Sequence, residues 1–393
     1  MTYRLLKDLP AAALDGQRAL MRVDFNVPLK HGAVADDLRL RAALPSIKYL
    51  RDKGARVVLL SHLGRPKGGP DPQFSLQQVL PALEGLLGSP VTFISDPADG
   101  AAVTRRLPRG GVALVENTRF WPGEEKNDAA LAQTFAQLGD LYVNDAFGSA
   151  HRAHASTEAV ARLLQPAVAG FLMEKELAYL GDALASPRRP FVAVLGGAKI
   201  SGKIDVIDAL LPRVDAILIG GAMACTFYEA MGFPTGTSLV EKDKIDLARA
   251  LLARGGAKLV LPRGGVVAPN LERGPDRREV KADAIPEGWA IYDIDTATCH
   301  DYRARILAAK TIVWNGPMGV FETPPFDTGT RAIVNAMVDA GKKGAVTIVG
   351  GGDSAAAVAG LESNFTHVST GGGASLEFLE GKVLPGVAVL EQA

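Results

Sequence analysis

The chain reads as α/β, with two doubly wound parallel-sheet domains, on three observations. Short β-branched apolar runs recur along its 393 residues. Segments with helical apolar spacing lie between them. The series also runs twice, on either side of a Pro187-Arg188-Arg189-Pro190 knot. Continuously apolar strands need cover on both faces, and alternation with helices supplies it through crossover connections, which favours parallel sheets. At roughly 100–200 residues per domain, the length accommodates two or three such units.

In chain order, the first half offers strands at ALMRV (19–23), RVVLL (56–60), VTFI (91–94), VALV (112–115) and LYVN (141–144). Each is bounded by Gly, Pro, Asp or Asn, which break strands and open turns. RAALPSIKYLRDKG (41–54) and LAQTFAQLGD (131–140) carry apolar residues at helical spacing. MEKELAYLGDALAS (173–186) reads as a charged connecting helix, stopped by the two prolines that follow. The second half offers FVAVL (191–195), AILI (216–219), KLVL (258–261), TIVW (311–314), VTIV (346–349) and THVS (366–369). The expected division is residues 1–172, a connector over 173–190, residues 191–378, and a final segment 379–393.

Composition narrows the function. Lys+Arg and Asp+Glu are both 43, so the net charge is zero, unlike a chain built mainly to bind nucleic acid. Residues 1–170 carry 20 basic and 17 acidic side chains, a net +3 that leaves −3 for the remainder and leans toward an anionic ligand on the first half. Two cysteines, Cys225 and Cys299, make no disulfide scaffold and point to a reducing compartment. The N-terminus lacks a signal-peptide pattern, and no apolar run reaches the ~18 residues of a membrane span, so a cytoplasmic location is expected.

Open α/β sheets bind ligands beyond the C-terminal ends of their strands. There the two halves differ. The first carries Asp24-Phe25-Asn26 after its first strand, with Arg39 following, then His62 and Arg65 in SHLGRP, Arg119 in ENTRF, and Arg152 in HRAH. Guanidinium forks match carboxylate and phosphate oxygens, so four arginines and an imidazole suit a small ligand with several negative charges. His151 and His154 lack the third ligand a metal site would need. The second half carries glycines and lysines. Gly196-Gly197 leads to Lys199 and Lys203, expected one helical turn apart at a helix opening. Residues 197–204 come one residue short of a P-loop, because Ile204 stands where Ser or Thr should hold a metal ion. Gly350-Gly351-Gly352-Asp353-Ser354 and Gly371-Gly372-Gly373 also read as glycine turns opening helices, and TIVW closes in Asn315-Gly316-Pro317. Three glycine clusters at three strand ends favour a phosphate cradle.

RVDFNVP (22–28), SHLGRP (61–66), ENTRF (116–120), AHRAHAS (150–156), LGGAK (195–199), WNGPMGVFE (314–322), GGGDS (350–354) and TGGGASLE (370–377) together resemble the phosphoglycerate kinase family, in order and over nearly the whole chain. The resemblance implies two Rossmann-like domains joined by a hinge helix, with the final segment returning to the first domain, a monomer, and no nucleic-acid or membrane partner. It implies reversible transfer of a phosphoryl group from 1,3-bisphosphoglycerate to ADP, giving 3-phosphoglycerate and ATP, with Mg²⁺ accompanying the nucleotide. By the same resemblance, Asp24, Phe25, Asn26, Arg39, His62, Arg65, Arg119 and Arg152 hold the three-carbon acid. Lys203, Asn315, Pro317, Glu322, Gly351, Gly352, Asp353 and Ser354 hold the nucleotide, with Asp353 toward the metal. Arg39, Lys199, Gly352 and Gly372 surround the phosphoryl in flight.

Three positions depart from the family pattern. Gly202 is expected to loosen the first turn of its helix by ~1 kcal/mol. Ser354 replaces a commoner Thr, and Trp121 is bulkier than the family's residue. A different carboxylate kinase, or a non-catalytic nucleotide-binding scaffold, remains open beside the main reading.

Overall fold

The computed structural model describes residues 3–391, with the side chains of Asp182 and Leu184 set aside. The chain divides into two compact units. The described residues up to Ala178, with those from Val383 on, form one; Tyr179–Lys382 form the other.

The first unit holds β1 (Arg18–Arg22), a small antiparallel hairpin of β2 (Leu29–Lys30) and β3 (Ala33–Val34), then β4 (Arg56–Leu60), β5 (Val91–Ile94), β6 (Val112–Val115), β7 (Leu141–Asn144) and β8 (Ala167–Ala169). Six of these make one sheet in the order β5-β6-β4-β1-β7-β8, with every pairing parallel. The chain starts at the middle and winds outward both ways, so the order reverses beside β1. Strand ends are level there: Arg22 pairs with Leu60 on one side and with Asn144 on the other. Burial explains the apolar runs. All four residues of β6 and of β7 are buried, and each large apolar side chain so covered contributes about 1.5–3 kcal/mol.

The second unit holds β9 (Phe191–Leu195), β10 (Ala216–Ile219), β11 (Leu259–Val260), β12 (Gly264–Ala268), β13 (Arg278–Lys281), β14 (Ala290–Ile294), β15 (Thr311–Asn315), β16 (Val346–Gly350) and β17 (His367–Val368). Its main sheet runs β11-β10-β9-β15-β16-β17, again all parallel. Asn315 is level with Leu195 and with Gly350, so three strands end together at the reversal point. A second, antiparallel sheet, β13-β12-β14, was not foreseen. Its strands are short, and Gly264, Gly265 and the charged REVK of β13 hide the apolar signal.

The helix Phe171–Ala185 contains the division between units, at Ala178/Tyr179. Its first turn is tied into the first unit. Ser46 Oγ accepts from Phe171 N–H at 2.8 Å, and Asp145 Oδ1 accepts from Leu172 and Met173 N–H at 2.9 and 3.1 Å. Three donors that a helix start leaves unsatisfied are thereby used. The end of the chain also packs on this unit: Gly386 exchanges hydrogen bonds with Ala150 and Asn144, and Arg4 N–H reaches the Leu390 carbonyl at 3.1 Å.

Candidate active site

In the first unit, four loops leave the C-terminal ends of β1, β4, β6 and β7 and tie to one another. Phe25 is wholly buried; its N–H donates to Ser61 Oγ at 2.8 Å and its carbonyl accepts from Val27 N–H at 2.9 Å, which fixes the loop after β1. Asn26 Oδ1 accepts from Gly64 N–H at 2.8 Å, which joins the loop after β1 to the loop after β4. Asn117, fully buried, donates to the carbonyls of Leu63 and Phe74 at 2.7 and 2.9 Å and accepts from Arg119 N–H. Arg119 then reaches the Gly64 carbonyl at 2.7 Å. Arg39, in the first turn of the helix Leu38–Asp52, pairs with Asp24 at 2.9 Å.

The electrostatics place the remaining groups. His62 is 7% exposed, and its protonation is held well below the usual imidazole range by burial first, then by Arg22, Arg119, Arg39 and His154. His154 is pushed down to about 4 by burial, then by Arg22, Arg119 and Arg152. Asp24, Asn26, Arg39, His62, Arg119 and Arg152 therefore gather at one rim, with Arg65 exposed one residue beyond Gly64. Trp121, the bulky departure, packs edge-on against Phe135 with ring centroids 6.5 Å apart.

In the second unit the glycines allow backbone to meet backbone. A Cβ on Gly196 would lie 2.0 Å from the Pro317 carbonyl oxygen, and one on Gly316 would lie 2.2 Å from the Gly196 oxygen. Gly316 also has φ +92°, which side chains rarely tolerate. The turn is fastened by Ser354 Oγ, which accepts from Gly316 N–H at 2.6 Å, so the hydroxyl kept in place of Thr is in use. Lys203 Nζ donates to Asn315 Oδ1, and burial brings its ammonium down to about 8, with Asp353 and Glu380 opposing the shift. Asn315 Nδ2 is buried without a hydrogen-bond partner, beside Gly351. An idle donor next to a half-buried lysine and a glycine turn suits an anionic oxygen. Asp353, Lys199 and Glu322 are exposed, and Gly352 and Gly372 stand at the openings of the helices Gly352–Ala357 and Gly373–Leu379.

Two expectations about the lysine loop change. The helix starts at Ile204, so Lys199 and Lys203 sit in the preceding turn, not on one helical face. Gly202 lies outside that helix, and a Cβ there would meet nothing within 4 Å, so it does not loosen the first turn. The sequence reading also missed the buried polar layer beneath the rim: Arg22, Asn117, Glu124 and Ser156, all without exposed surface. Arg22 carried the one signal, a charged residue in a run otherwise reading as a buried strand; Glu124 and Ser156 lie outside every strand run.

The chain's relatives share its whole length. Residues 7–382 match the family model described as phosphoglycerate kinase. The chain is 56% identical over 404 residues to a phosphoglycerate kinase of Chloroflexus aurantiacus, covering all of both, and 53% identical to one of Fervidobacterium nodosum, covering 95% and 96%. Among solved structures, it is similar to phosphoglycerate kinase from Coxiella burnetii at TM-score 0.89 and 40% identity, covering 99% of each chain. It is also similar to the enzyme from Pyrococcus horikoshii OT3 at TM-score 0.86 and 33% identity, covering 99% of this chain and 98% of that one. With two parallel sheets that each end in a charged or glycine-lined rim, and relatives matched from end to end, the chain belongs to the phosphoglycerate kinase family.

Proposed function

We propose that the chain transfers a phosphoryl group reversibly between 1,3-bisphosphoglycerate and ADP, forming 3-phosphoglycerate and ATP. One observation carries the choice of acceptor: Arg39, Arg119, Arg152 and His62 gather at the strand ends of the first unit. A ligand with a carboxylate at one end and a phosphate at the other uses that many donors; acetate would not. The second reading, a different carboxylate kinase, leaves most of the rim idle.

The chemistry needs little from the protein beyond position and charge. In the ATP-consuming direction the acceptor is a carboxylate, ionised at neutral pH, so no base is required. In this reading Arg119, Arg152, Arg65, His62, Asn26 and the backbone at Phe25 orient the acid. Arg39 exchanges its Asp24 partner for charge that develops on the phosphoryl oxygens. Lys203, Asn315 and the turns at Pro317 and Gly351–Ser354 hold the nucleotide phosphates, with Glu322 toward the sugar. Lys199 and the N–H groups at Gly352 and Gly372 complete the surroundings of the moving group.

Among the described residues, no group of three or more His, Cys, Asp or Glu is placed to hold a metal ion. The donors fit Mg²⁺ that arrives on the nucleotide phosphates and takes one protein oxygen, from Asp353. When bound, Mg²⁺ would neutralise phosphate charge. Among the described residues no helix is long and apolar enough to cross a membrane. A monomer working in the cytoplasm, with small molecules as its partners, belongs to the same proposal.

The test is a coupled assay. Purified protein, 3-phosphoglycerate, ATP and Mg²⁺ are mixed with glyceraldehyde-phosphate dehydrogenase and NADH. NADH loss that needs both the phosphorylated acid and the metal supports the reading. Acetate supporting turnover, read as ADP release, would favour the second reading. ATP binding without turnover would leave a nucleotide-binding scaffold.

A further inference from the structure

The buried layer beneath the first unit's rim forms a continuous line. Arg22 ends β1 with no exposed surface. Its guanidinium donates to the Val23 carbonyl through Nη1 and to Ser156 Oγ through Nε at 2.9 Å, and its Nη2 lies 3.0 Å from His62 Nδ1. Ser156 lies in a single π-helical turn, Ala155–Ala159, and donates both its hydroxyl and its N–H to Glu124, which is also fully buried. The order is thus Glu124, Ser156, Arg22, His62. Glu124 faces the buried guanidinium across that hydroxyl; burial pushes its carboxyl up, and Arg22 and the two Ser156 hydrogen bonds oppose that shift.

This order settles which nitrogen of His62 carries the proton. A guanidinium has five N–H donors and no acceptor. The Nδ1 that faces Arg22 must present its lone pair, so the ring proton is on Nε2. The charged and titratable groups acting on His62 are Arg22, Arg119, Arg39 and His154, three of them permanent cations that oppose a second proton on the ring. An imidazole free of these contacts would titrate near neutrality, and its attraction for an anion would change with pH.

We infer that Arg22 is a positioning residue which holds His62 as the neutral Nε2–H tautomer, so that the ring offers the bound anion one fixed N–H donor instead of a titrating charge. The inference rests on the reading of this rim as the site of the phosphorylated acid. Arg22 has no exposed surface, so it acts through His62.

The test begins on the intact, unmutated protein. Long-range ¹H–¹⁵N correlation spectra of imidazole-labelled protein report the tautomer of each of the six histidines, and the signal lost in His62→Gln identifies His62. The expected result is an Nε2–H pattern that stays unchanged from about pH 6 to about pH 8.5. An Nδ1–H pattern, or an imidazolium at the lower end, overturns the inference.

The second arm compares Arg22→Met with Arg22→Lys. For each, the KM for 3-phosphoglycerate is divided by that of the unmutated protein at the same pH, which cancels titration of the ligand's own phosphate. The ratio should rise about twofold or more in Arg22→Met, because Nδ1 no longer has to present its lone pair and the released ring can turn or move its proton away from Nε2. In Arg22→Lys it should stay near one, since an ammonium still donates to Nδ1. A ratio near one in both variants, with only stability lost, would make Arg22 a structural residue and overturn the inference. If Arg22→Met does not fold, the tautomer of the unmutated protein decides alone. Absence of turnover with 3-phosphoglycerate would sink the proposed reaction and leave the spectral result to stand or fall separately.

Discussion

At the residue scale, the chemistry depends on charges held ready by weak partners. Arg39 rests on Asp24 at 2.9 Å, an ion pair that a phosphoryl group can replace. Arg39→Ala should cut turnover ~100-fold or more, because the lost contact is made to developing charge, while ADP affinity stays within about twofold. Steady-state kinetics with calorimetry checks this, and unchanged turnover removes Arg39 from the mechanism. Lys203 carries a pH dependence of its own. Burial brings it to about 8, so the empty site holds an ammonium below that pH and a neutral amine above it. Phosphate binding favours the ammonium. ADP affinity should therefore fall by up to about tenfold per pH unit above that point, with proton uptake visible as a buffer-dependent heat. Lys203→Met should bind weakly at all pH values and show no such slope. The identity of these side chains was legible in the sequence as motif residues. Which of them is buried was not: Arg39 and Lys203 look alike in the chain, and only packing around Lys203 separates them.

At the element scale, strand ends and helix starts place those side chains. Gly316 meets Gly196 where β15 and β9 end, and no Cβ fits between them. Gly316→Ala should cost about 2–4 kcal/mol and abolish tight ADP binding, measured by urea unfolding and calorimetry. A stable variant with normal ADP affinity would show that the close approach is not needed. The helix Phe171–Ala185 depends on Asp145, whose carboxyl burial pushes up to about 7. Between the unfolded value near 3.9 and about 7, the folded state keeps a proton that the unfolded state has lost. Stability from this group therefore falls as pH rises through that window and stays low above it. Asp145→Asn keeps the acceptor for Leu172 and Met173 but cannot ionise. Relative to the unmutated protein it should gain on the order of 2 kcal/mol from about pH 5 to about pH 8. Urea midpoints that move in parallel would show that Asp145 is already ionised. The strand runs themselves were readable because strands buried on both faces must be continuously apolar. β12 to β14 escaped notice because glycines and charges break that pattern.

For the whole molecule, the proposed reaction sets a mechanical requirement, since acid and nucleotide are assigned to different units. Adding 3-phosphoglycerate together with a non-hydrolysable ATP analogue and Mg²⁺ should reduce the radius of gyration by about 1 Å or more, and each ligand alone by less. A profile unchanged by both would count against closure. Two sheets, their parallel sense and the contrast between an arginine rim and a glycine–lysine rim were determined by the sequence alone, because apolar periodicity and turn residues are local properties. The tertiary structure decided the rest. It set the division inside the helix Phe171–Ala185 and gave the returning final segment its partners, Asn144 and Ala150. It also gave Arg22, Ser156 and Glu124 a shared buried line. Those outcomes depend on which residues meet across tens to hundreds of positions of chain, and the free energy of burying a charge depends on the partners it finds there.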